Sequence, residues 1–317
     1  MKVAITGGTG FIGRNLAAAL DPADTVVISR RTGIEIDDVD ALAAAFAGCD
    51  AVAHCAGINR EIGDQTFQRV HVDGTRAVLE AARRAGVKRT VMVSFLRARP
   101  DCGSPYHETK WAAEELVRHS GIDHTILKAS MVYGPGDHMV DHVSRAVHTW
   151  PVFATVGYHP RTVRPVPVAD MVGVLRAALE GRIAEPTVAV MGAEELPLPA
   201  AVRRVAHVNQ RRVLYIPVPV WSIKLLAQLT EWVMVVPLVA KAQAQMLAEG
   251  VSEPEPWAPE APVGIRPSHP FDEASIRAAL PHEGRFGLDD LRVTRWWRGR
   301  RAARRAPAVS AVRAEGR

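Results

Sequence analysis

Met1-Lys2-Val3-Ala4-Ile5-Thr6-Gly7-Gly8-Thr9-Gly10-Phe11-Ile12-Gly13 is a short apolar run that breaks into glycines three apart and leads into Asn15-Leu16-Ala17-Ala18-Ala19-Leu20. The β-branched residues favour a buried strand, the glycines let the chain turn with positive φ, and the alanine-rich stretch favours a helix. The helix start then presents unpaired backbone N–H groups to an anion, and a dinucleotide pyrophosphate is the expected guest. A glycine triplet alone says little; its place directly after a strand and before a helix gives it weight. Gly7, Thr9, Gly10, Phe11, Ile12 and Gly13 are therefore candidate cofactor-binding residues.

Working outward, Thr25-Val26-Val27-Ile28 reads as a second strand ending in Ser29-Arg30-Arg31. An acid at the end of this strand favours a free ribose 2′-hydroxyl, whereas arginine accommodates a 2′-phosphate. Arg30 and Arg31 thus predict NADP(H) as the preferred cofactor, with NAD(H) the alternative. Thr32 to Ile36 is too short to hold a helix between a second and a third strand, and Glu35 within it joins the cofactor-binding set. Asp38 or Asp40 can cap a helix from Ala41 to Ala47 that Gly48 stops. Ala51 to Gly57 reads as a fourth strand whose small exit residues, Ala56 and Gly57, let a cofactor pass close to the backbone. A helix from about Thr66 to Ala85, stopped by Gly86, precedes a fifth strand, Thr90 to Ser94.

Tyr106-His107-Glu108-Thr109-Lys110 then runs into Trp111-Ala112-Ala113-Glu114. Positions four apart share a helix face, so Tyr106 and Lys110 can meet. An ammonium beside a phenol lowers the tyrosine pKa from about 10 and makes a usable proton donor or acceptor.

The chain resembles the short-chain dehydrogenase/reductase superfamily, in its extended and atypical branches, over about residues 1 to 250. The resemblance rests on Thr6 to Gly13, on Val72-Asp73-Gly74-Thr75-Arg76-Ala77-Val78-Leu79-Glu80-Ala81-Ala82-Arg83, on Tyr106-x-x-x-Lys110, and on Val132-Tyr133-Gly134-Pro135-Gly136-Asp137. It implies an α/β fold: a Rossmann-type doubly wound parallel sheet with a smaller C-terminal substrate lobe and NAD(P) across the sheet's carboxyl edge. It also implies Tyr106 as general acid/base, with Lys110 holding the nicotinamide ribose and tuning Tyr106. Relatives place a Ser or Thr hydroxyl after the fifth strand; here that slot falls on Leu96, so Ser94 or Ser104 must substitute or carbonyl chemistry is impaired. His71 stands where relatives often have Asn, and Lys128 where many have Arg. Within the superfamily, Val93 to Ala98, Thr125 to Ser130 and Ala242 to Leu247 look most like the subgroup containing the nucleotide-binding accessory subunit of respiratory complex I, several members of which hold NADP(H) structurally.

The 317 residues divide into a nucleotide-binding domain (1–185, with some exchange of segments), a substrate-facing lobe (186–290) and a basic tail (291–317). The tail carries nine arginines and one acid, a charge of +8, which leaves −3 for the rest of a chain whose total is +5. That distribution argues against a nucleic-acid-binding body and leaves the tail as a contact for an anionic membrane or a protein partner. Cys49, Cys55 and Cys102 lack metal spacing and suit a reducing compartment. With no signal peptide or membrane span in the sequence, a cytoplasmic location is expected. His138 and His142, flanked by Asp137 and Asp141, read as a polar loop over the cleft, with no metal expected. In Trp221 to Val236, Leu225, Leu226, Leu229, Trp232 and Val233 form an apolar stripe expected to face a core. The sum is an NADP(H)-dependent oxidoreductase acting on a small carbonyl or alcohol substrate, with Tyr106, Lys110 and Ser94 catalytic. The alternatives are a non-catalytic NADP(H)-binding scaffold and a nucleotide-sugar epimerase or dehydratase.

Overall fold

Strands buried on both faces need apolar side chains on both, and the runs Val3–Thr6 (β1), Ala51–His54 (β3) and Arg89–Phe95 (β4) supply them. In the computed structural model, which describes residues 1–137, 139–156, 161–234, 249, 252–280 and 284–286, these strands join Thr25–Ile28 (β2), Asp123–Ala129 (β5) and Thr187–Val190 in one parallel sheet. The order is β2-β1-β3-β4-β5 and then Thr187–Val190. Chain direction across the sheet reverses beside β1, which is where a doubly wound sheet opens its ligand crevice.

The two-residue period of the strands divides the core. Val3, Ile5, Ala53, Val91 and Leu127 face one way, onto Leu16 of Phe11–Ala18 (α1) and onto Val172, Leu175 and Leu179 of Val168–Leu179. Ala4 and Val52 face the other way, onto Leu42 and Phe46 of Val39–Phe46 (α2) and Ala77, Val78 and Ala81 of Gly74–Arg84 (α3). Met92 and Ile126 continue that second layer against Ala113 and Val117 of Pro105–Arg118 (α4).

Four local expectations change. No third strand forms at Thr32 to Ile36: Ser29 and Thr32 cap each other across a single turn, Gly33 takes φ +85°, and Asp38 then caps α2 by accepting from Ala41 N at 3.0 Å. The strand counted fourth is therefore third in the fold. The helix expected from Thr66 starts instead as a π-helical turn over Gln68–Asp73 before tightening into α3. Thr187–Val190, placed by sequence in the lobe, completes the nucleotide-binding sheet, and its outer edge is covered by the proline-rich stretch through Ala189 N to Pro259 O and Ala261 N to Ala189 O. Finally, Leu225, Leu226 and Leu229 of the helix Val220–Val233 face outward, because Ile223, Ala227 and Thr230 take the inward positions. The side chains of Trp232 and Val233, together with His138 and the basic tail, lie outside the described residues.

Beyond the sheet, Tyr133, Val140, Val163, Val205, Phe271 and Ile276 form a separate apolar cluster beneath Met139–Thr149 and Leu198–Val208. Among the described residues no helix is long and apolar enough to cross a membrane, and no group of ligating side chains could hold a metal.

Candidate active site

The glycine turn is built by close backbone approach. Gly7 has φ +66°, and a Cβ there would lie 2.7 Å from both N and Cα of Ala56, so the turn after β1 rests directly on the exit of β3. A Cβ on Gly13 would lie 2.4 Å from Gly7 O, which lets α1 begin against the turn itself. Gly10 N donates to Gly7 O at 2.8 Å, closing it. No side chain caps α1 and no acid sits in its first turn, so its leading N–H groups face outward with their partial positive charge. These features fit a dinucleotide pyrophosphate: Thr9, Gly10, Phe11, Ile12 and Gly13 would hold it through backbone N–H groups. Arg14 clamps the turn to the Gly134-Pro135-Gly136 segment by donating to Pro135 O at 3.0 Å and Gly136 O at 2.9 Å.

Lys110 reaches the same edge from α4. Its ammonium donates to Val93 O at 3.2 Å, and a Cβ on Gly57 would lie 3.0 Å from its Nζ. Burial lowers its pKa to about 8, an effect that the Glu114 carboxylate partly opposes. Tyr106, one turn earlier, is boxed by rings: Phe95 at 5.5 Å, His71 at 5.6 Å, Phe67 at 5.7 Å and His107 at 5.8 Å between centroids. Burial raises its pKa above the usual phenol value. No lowering by Lys110 accompanies that rise, and the Lys110 ammonium donates to Val93 O. Tyr106 therefore stays a neutral phenol.

A buried polar chain that sequence reasoning missed ties this helix to the turn. Thr75 Oγ1 donates to His71 O at 2.5 Å, so it accepts from His54 Nε2 at 2.9 Å, and His54 Nδ1 accepts from Thr6 Oγ1 at 2.7 Å. Thr109 Oγ1 donates to Pro105 O at 2.6 Å, so it accepts from His71 Nδ1 at 3.0 Å, leaving His71 Nε2 to accept from Ile58 N at 3.2 Å. Burial, aided by the charge on Lys110, holds His54 down to about 3 and His71 well below its ordinary value, so both stay neutral. The one signal in the sequence was His71 in place of the family's Asn; nothing local announces that Thr6, His54 and Thr75 align across three elements.

Not every predicted residue converges. The Ser94 hydroxyl donates to Glu114 Oε1 at 2.5 Å inside the core, where Lys128 Nζ also donates to Glu114 at 2.9 Å. Ser104 shares a hydrogen bond of 2.6 Å with His107 Nδ1. Both hydroxyls are buried, one bonded to Glu114 and the other to His107. Leu96 is fully buried among Phe95, Ala98, Ala189 and Met191, with Tyr106 packed against the same cluster. Arg30 and Arg31 are exposed just after β2 and pair with no described residue. Glu35 lies 3.7 Å from Arg69, an arginine that also pairs with Asp37 at 2.7 Å.

The profile of the NAD dependent epimerase/dehydratase family matches residues 3–187. The chain is 38% identical over 151 residues to a ceramide reductase of Caulobacter vibrioides, a stretch covering 43% of this chain and 47% of the reductase. It is 30% identical over 175 residues to a 4-hydroxy-2-methyl-3-oxo-4-farnesyl-3,4-dihydroquinoline-1-oxide ketoreductase of Stigmatella aurantiaca, covering 43% of this chain and 52% of that enzyme. The matched part thus spans about half the length of each relative. Among solved structures, MoeE5 in complex with UDP-glucose and NAD superposes with a TM-score of 0.65 at 19% identity, covering 88% of this chain and 97% of that one. That last likeness is one of fold.

Proposed function

We propose a function from one premise: the chain belongs to the NAD dependent epimerase/dehydratase family. It is an oxidoreductase of the short-chain dehydrogenase type that prefers NADP(H) and reduces a carbonyl group carried on an apolar molecule. Residues 1–185 hold the cofactor and the lobe selects the substrate.

The observation that carries the reading is Tyr106 in its box. A neutral, partly buried phenol is the form that gives a proton to a carbonyl oxygen as that oxygen gains negative charge. The reduced nicotinamide supplies the hydride when bound. The carbonyl carbon gains that hydride, the oxygen gains the Tyr106 proton, and solvent returns a proton to the phenolate. Lys110 holds the ribose from beneath Gly57. The substrates named for the two reductases support an apolar substrate. Exposed, unpaired Arg30 and Arg31 support the 2′-phosphate.

Leu96 favours a second reading. With no free hydroxyl beside Tyr106 among the described residues, the chain would hold its cofactor as a structural element instead of turning over a substrate. Replacing Tyr106 by Phe separates the two readings. The enzyme reading expects turnover of long-chain ketones to fall while cofactor affinity is kept; the scaffold reading expects no turnover in either protein. Interconversion of nucleotide-sugar epimers by the wild-type chain would instead reject both in favour of an epimerase.

A further inference from the structure

We propose that the outward face of the helix Val220–Val233 docks the protein on an anionic lipid surface. Trp221, Leu225 and Leu229 recur every four residues and so form one stripe, exposed by 68%, 52% and 50%. The opposite face is already satisfied: Ile223 and Ala227 pack on Ala154 and Val218. The stripe is thus surplus to the fold, and a contiguous apolar surface of this kind marks a binding face.

The surface extends beyond the helix. Leu214–Val218 pairs in parallel with Val152–Val156, placing Leu214 opposite Val152 and Ile216 opposite Ala154. By the two-residue period, Leu214 and Ile216 share a strand face with Val218, the face the helix partly covers. Leu214 is 63% exposed, and Ile216 and Val152 are also exposed. Helix and strand end therefore offer one apolar area.

Charge selects the occupant. Arg211 and Arg212, exposed and paired with no described residue, immediately precede this strand. A second copy docked by two-fold symmetry would bring these cations toward their own equivalents, at an electrostatic cost. A bilayer carrying anionic headgroups satisfies both features: the leucines enter the acyl boundary, tryptophan favours the interface, and the arginines meet phosphate. The proposal stands on geometry away from Tyr106 and does not depend on the chemistry assigned there.

The test is co-sedimentation of the full chain with phosphatidylcholine vesicles, with and without phosphatidylglycerol. Binding to the anionic vesicles is expected, with L225E/L229E weakening it by about tenfold or more while the melting temperature is unchanged. Tyr106→Phe should bind vesicles like wild type, so failure of the catalytic reading leaves this result standing. No binding to either vesicle overturns the proposal. So does binding that L225E/L229E leaves intact and high salt abolishes, since charge alone would then suffice. A dimer in solution that L225E/L229E splits, with no vesicle binding by the wild type, assigns the face to a second copy instead.

Discussion

The Lys110 ammonium donates to the Val93 carbonyl oxygen across 17 residues of chain, at 3.2 Å, and that single contact pins the middle of α4 to the end of β4. It places a buried cation where the exits of β3 and β4 meet, one helical turn from Tyr106, whose pKa burial raises.

A pH dependence follows. The folded pKa of Lys110, about 8, lies below the ordinary lysine value of 10.5. Between those values the unfolded chain binds the proton that the folded chain has lost, so stability rises with pH across that window. Below pH 8 the buried charge is a standing cost. Lys110→Met should therefore raise the melting temperature at pH 7 while weakening cofactor binding. In the wild type, cofactor affinity measured by calorimetry should decline as pH rises through about 8; an affinity flat across that range contradicts the role given to the ammonium.

The glycine turn predicts a contrast between two alanine substitutions. Gly13→Ala puts a methyl 2.4 Å from Gly7 O, backbone against backbone, and should abolish nucleotide binding. Gly48→Ala meets nothing within 4 Å, although its φ is +72°, so it should cost only about 1–2 kcal/mol of stability. Equal nucleotide affinity in the two variants would remove the turn from the cofactor site.

Arg30 and Arg31 bear on cofactor choice. With both replaced by alanine, affinity for NADPH should drop by about tenfold or more, roughly 1.4 kcal/mol, with affinity for NADH little changed. If both affinities fall together, the arginines act on the pyrophosphate or on the fold and not on the 2′-phosphate.

The buried pair of Glu114 and Lys128 separates a structural Ser94 from a catalytic one. Glu114 accepts from Lys128 at 2.9 Å, from Ser94 at 2.5 Å and from Arg118 at 2.7 Å, while Lys128 also donates to Ala98 O at 3.0 Å and lies 4.7 Å from the Trp257 ring centre. Removing one charge leaves the other buried without its partner, which typically costs about 3–5 kcal/mol. Urea unfolding of Glu114→Gln should show a loss of that order, partly recovered when Lys128→Met is added. Ser94→Ala should likewise lower stability and spare kcat; a loss of kcat at full stability would return Ser94 to the catalytic set.

The fold was legible because its signals are local. An apolar strand, a glycine turn and an alanine-rich helix declare themselves within thirteen residues, and Tyr106 and Lys110 share a face by helical spacing alone. The strand expected near Thr32 to Ile36 failed because Ser29 and Thr32 satisfy each other across one turn, a choice that composition does not reveal.

Sequence by itself thus determined the parallel sheet, the nucleotide turn and the Tyr106–Lys110 pair, since each rests on backbone preference and short-range periodicity. Only the tertiary structure decided that Lys110 serves Val93, that Ser94 serves Glu114, and that His54 and His71 link the turn to α4. It also decided that Leu225 and Leu229 face outward. These outcomes depend on which distant groups compete for one hydrogen bond or one buried face, and that competition is settled only when the elements pack.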